Sequence, residues 1–392
     1  MQIPLSQQLQ DFIAQHETAS TDKLLLHARS YPDIDIVFAV DQIIARKHIK
    51  EKLPLWYQNR GIVFPSRLAA EQCSSETTAT YKQNLLKGNT LCDLTGGLGV
   101  DSWFFAQKAQ NVTYIERMPE YCRAATHNFH LLGTNNITVL HADCRDIAHT
   151  LQTDTFYIDP ARRTDSNKRL FALADCEPNI IPLKQTLLTN TQRLIIKISP
   201  MADISETLRL LPETTEIHIL AIKNECKEIL FVLDPSPRTI QIHTVSFQTN
   251  EHQYFSFNPE EEKKTPLQLA EALDSYLYEP NAAILKSGAF KSIATRFRLL
   301  KLHQHSHLYT SDTPCPEFPG RKFKITAVLP FTGKLLKKLK HDIPQANITV
   351  RNFPMTVEQI RKTSGIGDGG HLYLFATTIA NSRRVLLVCE KL

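Results

Sequence analysis

The sequence predicts an α/β chain with a doubly wound, mainly parallel sheet at its centre, helices before it and a small basic α+β part after it. Three observations predict this. Between Thr90 and Arg163 four apolar runs alternate with helix-like stretches, and each run ends at an acid. The first run is followed by a glycine turn, Leu94-Thr95-Gly96-Gly97-Leu98-Gly99. The charge is also divided unevenly. Residues 281–392 hold 18 Lys/Arg against 6 Asp/Glu, whereas residues 1–280 hold 27 against 34.

Residues 1–80 predict a helical region. Leu5, Leu9, Phe12 and Ile13 recur at helical spacing, Ser20-Thr21-Asp22 can cap a second helix, and Ile36 to Ile49 gives an apolar-faced third. Trp56 and Tyr57, beside Pro54, are expected to anchor this region on a neighbouring domain. The segment from Glu71 to Thr78 either caps a helix or lines a ligand pocket.

Residues 81–250 hold the sheet. Its first four strands are Leu91–Asp93, Val112–Glu116, Ile137–Ala142 and Phe156–Ile158. Helices fall between them, from Val100 to Ala109 and from Pro119 to Leu132, the second with Pro at its first turn and Gly133 at its end. After a longer crossing from Ser166 to Leu188 come a fifth strand, Leu194–Ile198, and a short helix at 203–210. Two closely spaced strands follow, Glu216–Ile222 and Glu228–Leu233, then one more from Ile240 to Phe247.

Ligands of such sheets bind outside the carboxyl ends of the strands. Four strand ends carry marked residues. After the first lie Asp93, Thr95, Gly96, Gly97 and Gly99, where glycine lets backbone approach a ligand closely. Glu116 ends the second, where an acid accepts hydrogen bonds from ribose hydroxyls. Asp143 and Cys144 follow the third, and Asp159-Pro160-Ala161-Arg162-Arg163 the fourth. Each has a plainer reading: a simple turn, a solvated Glu116, an Asp143 that caps a helix. A dinucleotide-binding fold explains only the first two, and the glycines do not spell G-x-G-x-x-G.

The four strand ends together resemble the class I S-adenosylmethionine-dependent methyltransferases. The resemblance implies a Rossmann-like, seven-stranded sheet with a terminal antiparallel hairpin. It implies that the turn from Asp93 to Gly99 meets the methionine part of S-adenosyl-L-methionine, that Glu116 holds the ribose, and that Asp143 with Cys144 holds the adenine. Asp159 then faces both cofactor and substrate and Pro160 the substrate, while Arg162 and Arg163 either contact the substrate or form a structural ion pair. Thr95 departs from the family, which more often has glycine there. Amino-group methyltransferases often carry a second proline and an aromatic residue after the fourth strand. Here Ala161 and Arg162 stand in those places, which leaves an exocyclic amine in doubt as the target. C5-pyrimidine chemistry needs a cysteine nucleophile, and neither Asp159-Pro160-Ala161 nor Ser199-Pro200 supplies one.

Residues 251–275, with the run Glu260-Glu261-Glu262-Lys263-Lys264, read as an exposed linker. Residues 276–320 read as a small α+β segment. Within it His303, His305 and His307 alternate as on one face of a strand, solvated or RNA-facing rather than metal-bound. Residues 321–392 predict strand, helix, strand, helix, strand, strand, with Lys334, Lys337, Lys338 and Lys340 on the first helix and a glycine-rich loop from Gly365 to Gly370. This tail resembles the ferredoxin-like and THUMP-like domains attached to a group of bacterial methyltransferases; THUMP domains deliver RNA to modification enzymes.

No apolar run approaches the ~20 residues of a membrane helix. The N-terminus lacks a basic segment followed by an apolar one. Eight cysteines without a C-x-x-C pair read as reduced thiols in a cytoplasmic protein with no structural zinc. The expectation is a methyltransferase that modifies RNA (tRNA or rRNA). Its rivals are a methyltransferase of a protein or small molecule, and a non-catalytic RNA-binding module.

Overall fold

The computed structural model describes residues 3–162, 173–236, 239–249 and 251–392. Among them the chain separates into two compact units, one of residues up to 216 together with 228–236, the other of residues 217–227 and from 239 onward.

The first unit begins with six helices: α1 (Gln7–Gln15), α2 (Thr21–Leu26), α3 (Ile36–Ile49), α4 (Pro54–Gln58), α5 (Arg67–Gln72) and α6 (Glu76–Lys82). Their starts are legible locally. Ser6, Asp35, Ser66 and Ser75 each accept a hydrogen bond from a backbone N–H of the first turn. Leu9, Phe12 and Ile13 of α1 are buried against Ala39, Val40 and Ile43 of α3. Trp56 of α4 is fully buried and meets Trp103 edge-on at 6.3 Å. The two indoles belong to one cluster with Leu98, Val100 and Phe104, so the helical region is packed directly onto the glycine turn and the helix after it.

The sheet elements follow as β1 (Thr90–Asp93), α7 (Val100–Ala106), β2 (Asn111–Glu116), α8 (Pro119–Leu131), β3 (Ile137–His141), α9 (Cys144–Ile147) and β4 (Thr155–Ile158). Next are the short antiparallel pair β5 (Ala161–Arg162) and β6 (Cys176–Glu177), then α10 (Ile180–Thr189), β7 (Arg193–Ile198) and α11 (Ile204–Leu210). Strands β8 (Thr214–Ile222) and β9 (Glu225–Leu233) lead on to the second unit. Within the first unit the strand order is β9-β7-β4-β1-β2-β3. The five strands from β7 to β3 are parallel, and β9 closes antiparallel on β7. Strand order reverses beside β1, which sets the first β–α turn over a crevice. Buried runs such as Leu194-Ile195-Ile196 in β7 are what a sheet covered on both faces requires.

The second unit contains β10 (Gln241–Phe247), β11 (His252–Phe257) and α12 (Pro259–Lys264), then β12 (Tyr276–Pro280), α13 (Ala282–Ser287), α14 (Phe290–Phe297), β13 (Leu300–Lys301) and β14 (Tyr309–Ser311). It ends with β15 (Gly320–Pro330), α15 (Gly333–Asp342), β16 (Asn347–Arg351), α16 (Val357–Ser364), β17 (Leu372–Thr378) and β18 (Arg384–Lys391). Seven of these strands form one sheet in the order β13-β14-β12-β15-β18-β17-β16. Helices α15 and α16 cover one face of it through Leu336, Leu339 and Ile360.

Two expectations are corrected here. The stretch read as an exposed linker is structured. His252–Phe257 pairs antiparallel with β10, burying Phe255 and Phe257, and Asn258 caps α12 by accepting from the N–H of Glu260. The alternating histidines do not lie on a strand. They occupy the turn between β13 and β14, where His307 has φ +49° and stacks on Phe290 at 3.7 Å.

Trp56→Ala opens a cavity at the junction of α4 and α7. It is expected to destabilise the first unit by about 3–5 kcal/mol, measured by urea unfolding; a change near zero would show that this junction is not part of the cooperative core.

Candidate functional site

The glycine turn is fixed from three sides. On the β1 side, Asp93 is buried and accepts hydrogen bonds from the Thr95 N–H (3.1 Å) and the Ser102 hydroxyl (2.6 Å). On the β2 side, the Gly96 N–H donates to the Ile115 carbonyl (2.8 Å), and the Tyr114 hydroxyl donates to the Gly97 carbonyl (2.6 Å). On the β4 side, the Leu94 N–H donates to the Tyr157 carbonyl (2.9 Å), and the Asp159 N–H donates to the Thr95 hydroxyl (2.7 Å). Three glycines are required here, and not all for the same reason. Gly99 has φ +88°. Gly96 has an ordinary φ, but a Cβ there would run into the Tyr114 ring. Gly97 has φ +55° and so also calls for glycine, but it faces open space: a Cβ there would meet only the Thr95 carbonyl, at 3.8 Å.

The structure brings the strand-end acids to the same edge. Glu116 accepts from the Gly97 N–H (Oε2, 3.0 Å) and the Met118 N–H (Oε1, 2.9 Å), so it ties the second strand end to the first turn. A carboxylate with two donors still has lone pairs to offer. Asp143 caps α9 through the Arg145 N–H (2.9 Å) and accepts from the Arg145 guanidinium at 2.9 and 2.5 Å. Those bonds hold its carboxyl below the usual range. Arg145 also approaches Glu177 of β6 (3.4 Å), as Arg117 does (2.6 Å). Cys144 is buried, and burial pushes its thiol up to about 12, so it offers neither thiolate nor exposed surface.

Asp159 and Pro160 stand at the end of β4, and Arg162 pairs by its backbone with Cys176. Arg163 lies outside the described residues. The Asp159 carboxylate carries a partner that sequence reasoning missed, the Lys197 ammonium at 2.5 Å from Oδ2. The available signal was a single lysine inside the apolar run Leu194-Ile195-Ile196-Lys197-Ile198.

Sequence reasoning also missed a buried charge network beneath the turn. Lys82 of α6 is fully buried between Asp101 of α7 (2.8 Å) and Glu228 of β9 (2.8 Å). Tyr157 and Ser74 donate to Asp101 (2.7 and 2.8 Å), and Thr78 donates to Glu228 (2.7 Å). Burial pushes the Asp101 carboxyl up, but Lys82 and then Lys197 outweigh it and hold it below its ordinary value. The segment from Glu71 to Thr78 thus supplies the end of α5, the start of α6 and two hydroxyls of this network.

Burial raises the Asp93 carboxyl to about 7, against the opposing bonds from Ser102 and Thr95. The folded state therefore holds a proton that the unfolded chain releases near pH 4. Its contribution to stability falls as pH climbs from about 4 to about 7.

In the second unit, α15 buries Leu336 and Leu339 and exposes Lys334, Lys337, Lys338 and Lys340. Glu279 is buried between Arg321 and Arg351, the latter at 2.7 Å.

Comparison with known proteins adds the following. A family profile described as a ferredoxin-like domain matches residues 276–319, and one described as THUMP domain-like matches residues 320–391. A protein of Porphyromonas gingivalis W83, its crystal structure assigned as a methyltransferase, is 36% identical with a TM-score of 0.89. That similarity covers 98% of this chain and 97% of that one. An uncharacterised S-adenosylmethionine-dependent methyltransferase of Mycobacterium tuberculosis (strain H37Rv) is 23% identical over 299 residues, 75% of this chain and 78% of that protein. Ribosomal RNA small subunit methyltransferase J of Rhodopseudomonas palustris is 36% identical over 78 residues, 17% of this chain and 38% of that protein.

Two outcomes are expected. Gly96→Ala, by displacing the Tyr114 ring, should leave the chain folded by circular dichroism yet distort the turn; an unchanged pattern of amide shifts for residues 94–99 would contradict this. Asp93→Asn should flatten the fall in unfolding free energy between pH 4 and pH 7, read from urea titrations; an unaltered slope would mean that another group carries it.

Proposed function

The chain belongs to the S-adenosylmethionine-dependent methyltransferases that carry a ferredoxin-like and a THUMP-like domain at their C-terminus, and from that premise we propose that it methylates a nucleotide of RNA. The observation that carries the RNA reading is the THUMP-like match over residues 320–391. The excess of 18 Lys/Arg over 6 Asp/Glu in residues 281–392 supports it, since phosphate contacts dominate affinity for nucleic acid. The exposed lysines of α15 are proposed phosphate contacts.

S-adenosylmethionine supplies an electrophilic methyl group on a sulfonium. The residues at the strand ends fit it. Gly97 leaves space in front of the turn for the methionine part. Glu116 keeps lone pairs for two ribose hydroxyls. The rim of Asp143 and Arg145 lies where the adenine is expected. We assign to Asp93, which is only 1% exposed, the shaping of the turn from behind rather than a direct contact. Thr95 takes on work that glycine cannot do: its hydroxyl accepts from the Asp159 N–H and links the cofactor turn to the substrate motif. Cys144 contributes packing beneath the adenine edge.

Asp159 and Pro160 form the proposed substrate edge. There the Asp159 carboxylate accepts a hydrogen bond from the nucleotide and aligns its nucleophilic atom, and positioning of this kind supplies much of the rate in methyl transfer. The nucleophile's bond to the methyl carbon forms as the sulfur–methyl bond breaks with its electron pair to sulfur. Any proton on the nucleophile passes to water. We propose substrate contacts for Arg162 and Arg163.

Calorimetric titration with S-adenosylhomocysteine should show binding to the wild type and weakening of about 10-fold or more in Glu116→Ala, because two charge-assisted hydrogen bonds are lost. Equal affinities would remove Glu116 from the cofactor site. Asp159→Ala should bind the ligand like the wild type and transfer tritiated methyl to total RNA on the order of 100-fold more slowly; full turnover would remove Asp159 from the mechanism. Gel-shift affinity for total RNA should fall steeply between 50 and 200 mM salt. Salt-independent binding would leave the tail without its proposed role.

A further inference from the structure

A lysine inside a parallel strand buried on both faces needs a reason. Lys197 sits next to the end of β7, between Ile196 and Ile198, and its side chain is 11% exposed. Burial opposes its charge, as for any desolvated ammonium. What offsets this is arranged on three separate elements: Asp159 after β4, Glu228 on β9 and Asp101 on α7, in that order of attraction. Together they keep the ammonium protonated well beyond neutral pH.

The pair is lopsided. The Lys197 side chain is buried, whereas the Asp159 side chain is 36% exposed at the substrate edge. Oδ2 is held by Lys197, and the Asp159 N–H is held by Thr95. Among the described residues the Asp159 side chain has no other partner, which leaves Oδ1 unengaged there. The buried end is equally fixed. Lys82 pairs with Asp101 and Glu228, and Tyr157, Ser74 and Thr78 satisfy the remaining carboxylate oxygens. The other titratable groups that feel Lys197 are Lys52 and Cys73, beside the ends of α3 and α5.

We propose that Lys197 is a positioning residue for methyl transfer, which pins one oxygen of Asp159 so that the other meets the substrate, and which ties that oxygen's place to the buried network of Lys82, Asp101 and Glu228. The inference rests on Asp159 being the substrate-facing acid. Two consequences follow from the charge of the pair. Lys197 donates to Oδ2, so Asp159 offers the substrate a hydrogen-bond acceptor. The pair is also neutral as a whole, so it does not trap the sulfonium as a lone carboxylate would.

The test uses the full chain in four forms: wild type, Lys197→Met, Asp159→Asn and the double variant, with Lys197→Arg as the conservative replacement. The probes are S-adenosylhomocysteine for binding, and total RNA with tritiated S-adenosylmethionine for turnover. Lys197→Met should keep the ligand affinity within about threefold while kcat falls on the order of 100-fold. Lys197→Arg should recover most of the loss. The double variant removes one charge of each sign, keeps the network balanced, and should be no slower than Asp159→Asn alone. A Lys197→Met enzyme with wild-type kcat overturns the proposal. So does a double variant whose losses multiply, because Lys197 would then act independently of Asp159. If Lys197→Met does not fold, the comparison of Asp159→Asn with the double variant still decides. If the wild type labels no RNA, the reading of an RNA substrate fails by itself. The unfolding midpoints of the four forms in urea then judge the pair, and additive shifts overturn it.

Discussion

The charge of Lys82 is the constraint on which the first unit depends. An ammonium with no exposed surface is tolerated only because two carboxylates meet it and three hydroxyls complete their hydrogen bonds. Taking such charges out of water costs several kcal/mol per ion, and the attraction between them offsets this only when geometry is close. The charges come from α6, α7 and β9, so none of these elements can shift without stranding the others. One consequence is geometric: Asp101 stands on the helix that the glycine turn opens, and Tyr157, its hydroxyl donor, lies two residues before Asp159. The floor of the glycine turn and the approach to Asp159 are therefore set by the same buried ions.

Most of the first unit was legible in the sequence because its signals are local. Pro119 and Gly133 mark the two ends of α8, and the apolar runs before Asp93, Glu116 and Asp159 give the parallel strands directly. The strand-end acids were legible as residues but not as bonds. Glu116 reaching the Gly97 N–H, and Asp143 closing on Arg145, depend on where loops turn back. The Lys82–Glu228 contact joins residues 146 apart, and Lys197–Asp159 joins residues 38 apart, distances at which no spacing rule operates. The only trace of either is a lysine where the run demands an apolar residue.

The two misread stretches fail for opposite reasons. In residues 251–275 the charge run from Glu260 to Lys264 dominated the reading. Yet Gln253-Tyr254-Phe255-Ser256-Phe257 just before it has the alternation of a half-buried strand, and the charged run itself is a capped helix. At residues 303–307 the alternation is real but the strand is not. The backbone turns at His303–Ser306, the Ser306 hydroxyl donates to the Thr378 carbonyl, and alternation in a turn carries no meaning for faces. Period-two patterns mean a strand only where pairing partners exist on at least one side.

The contact of the turn with the rings beneath it limits how this scaffold can be redesigned. Any Cβ at position 96 meets the Tyr114 ring, and one at position 99 meets Phe129, while the two rings pack edge to face at 5.7 Å. Positions 96, 99, 114 and 129 therefore behave as a single unit of shape. Position 97 faces open space, but its φ of +55° keeps it glycine all the same, so an engineer gains no side chain at 96, 97 or 99 taken one at a time. Arg117 and Arg145, by contrast, lie about half exposed beside Glu177, and a change of side chain there is met by solvent rather than by a ring.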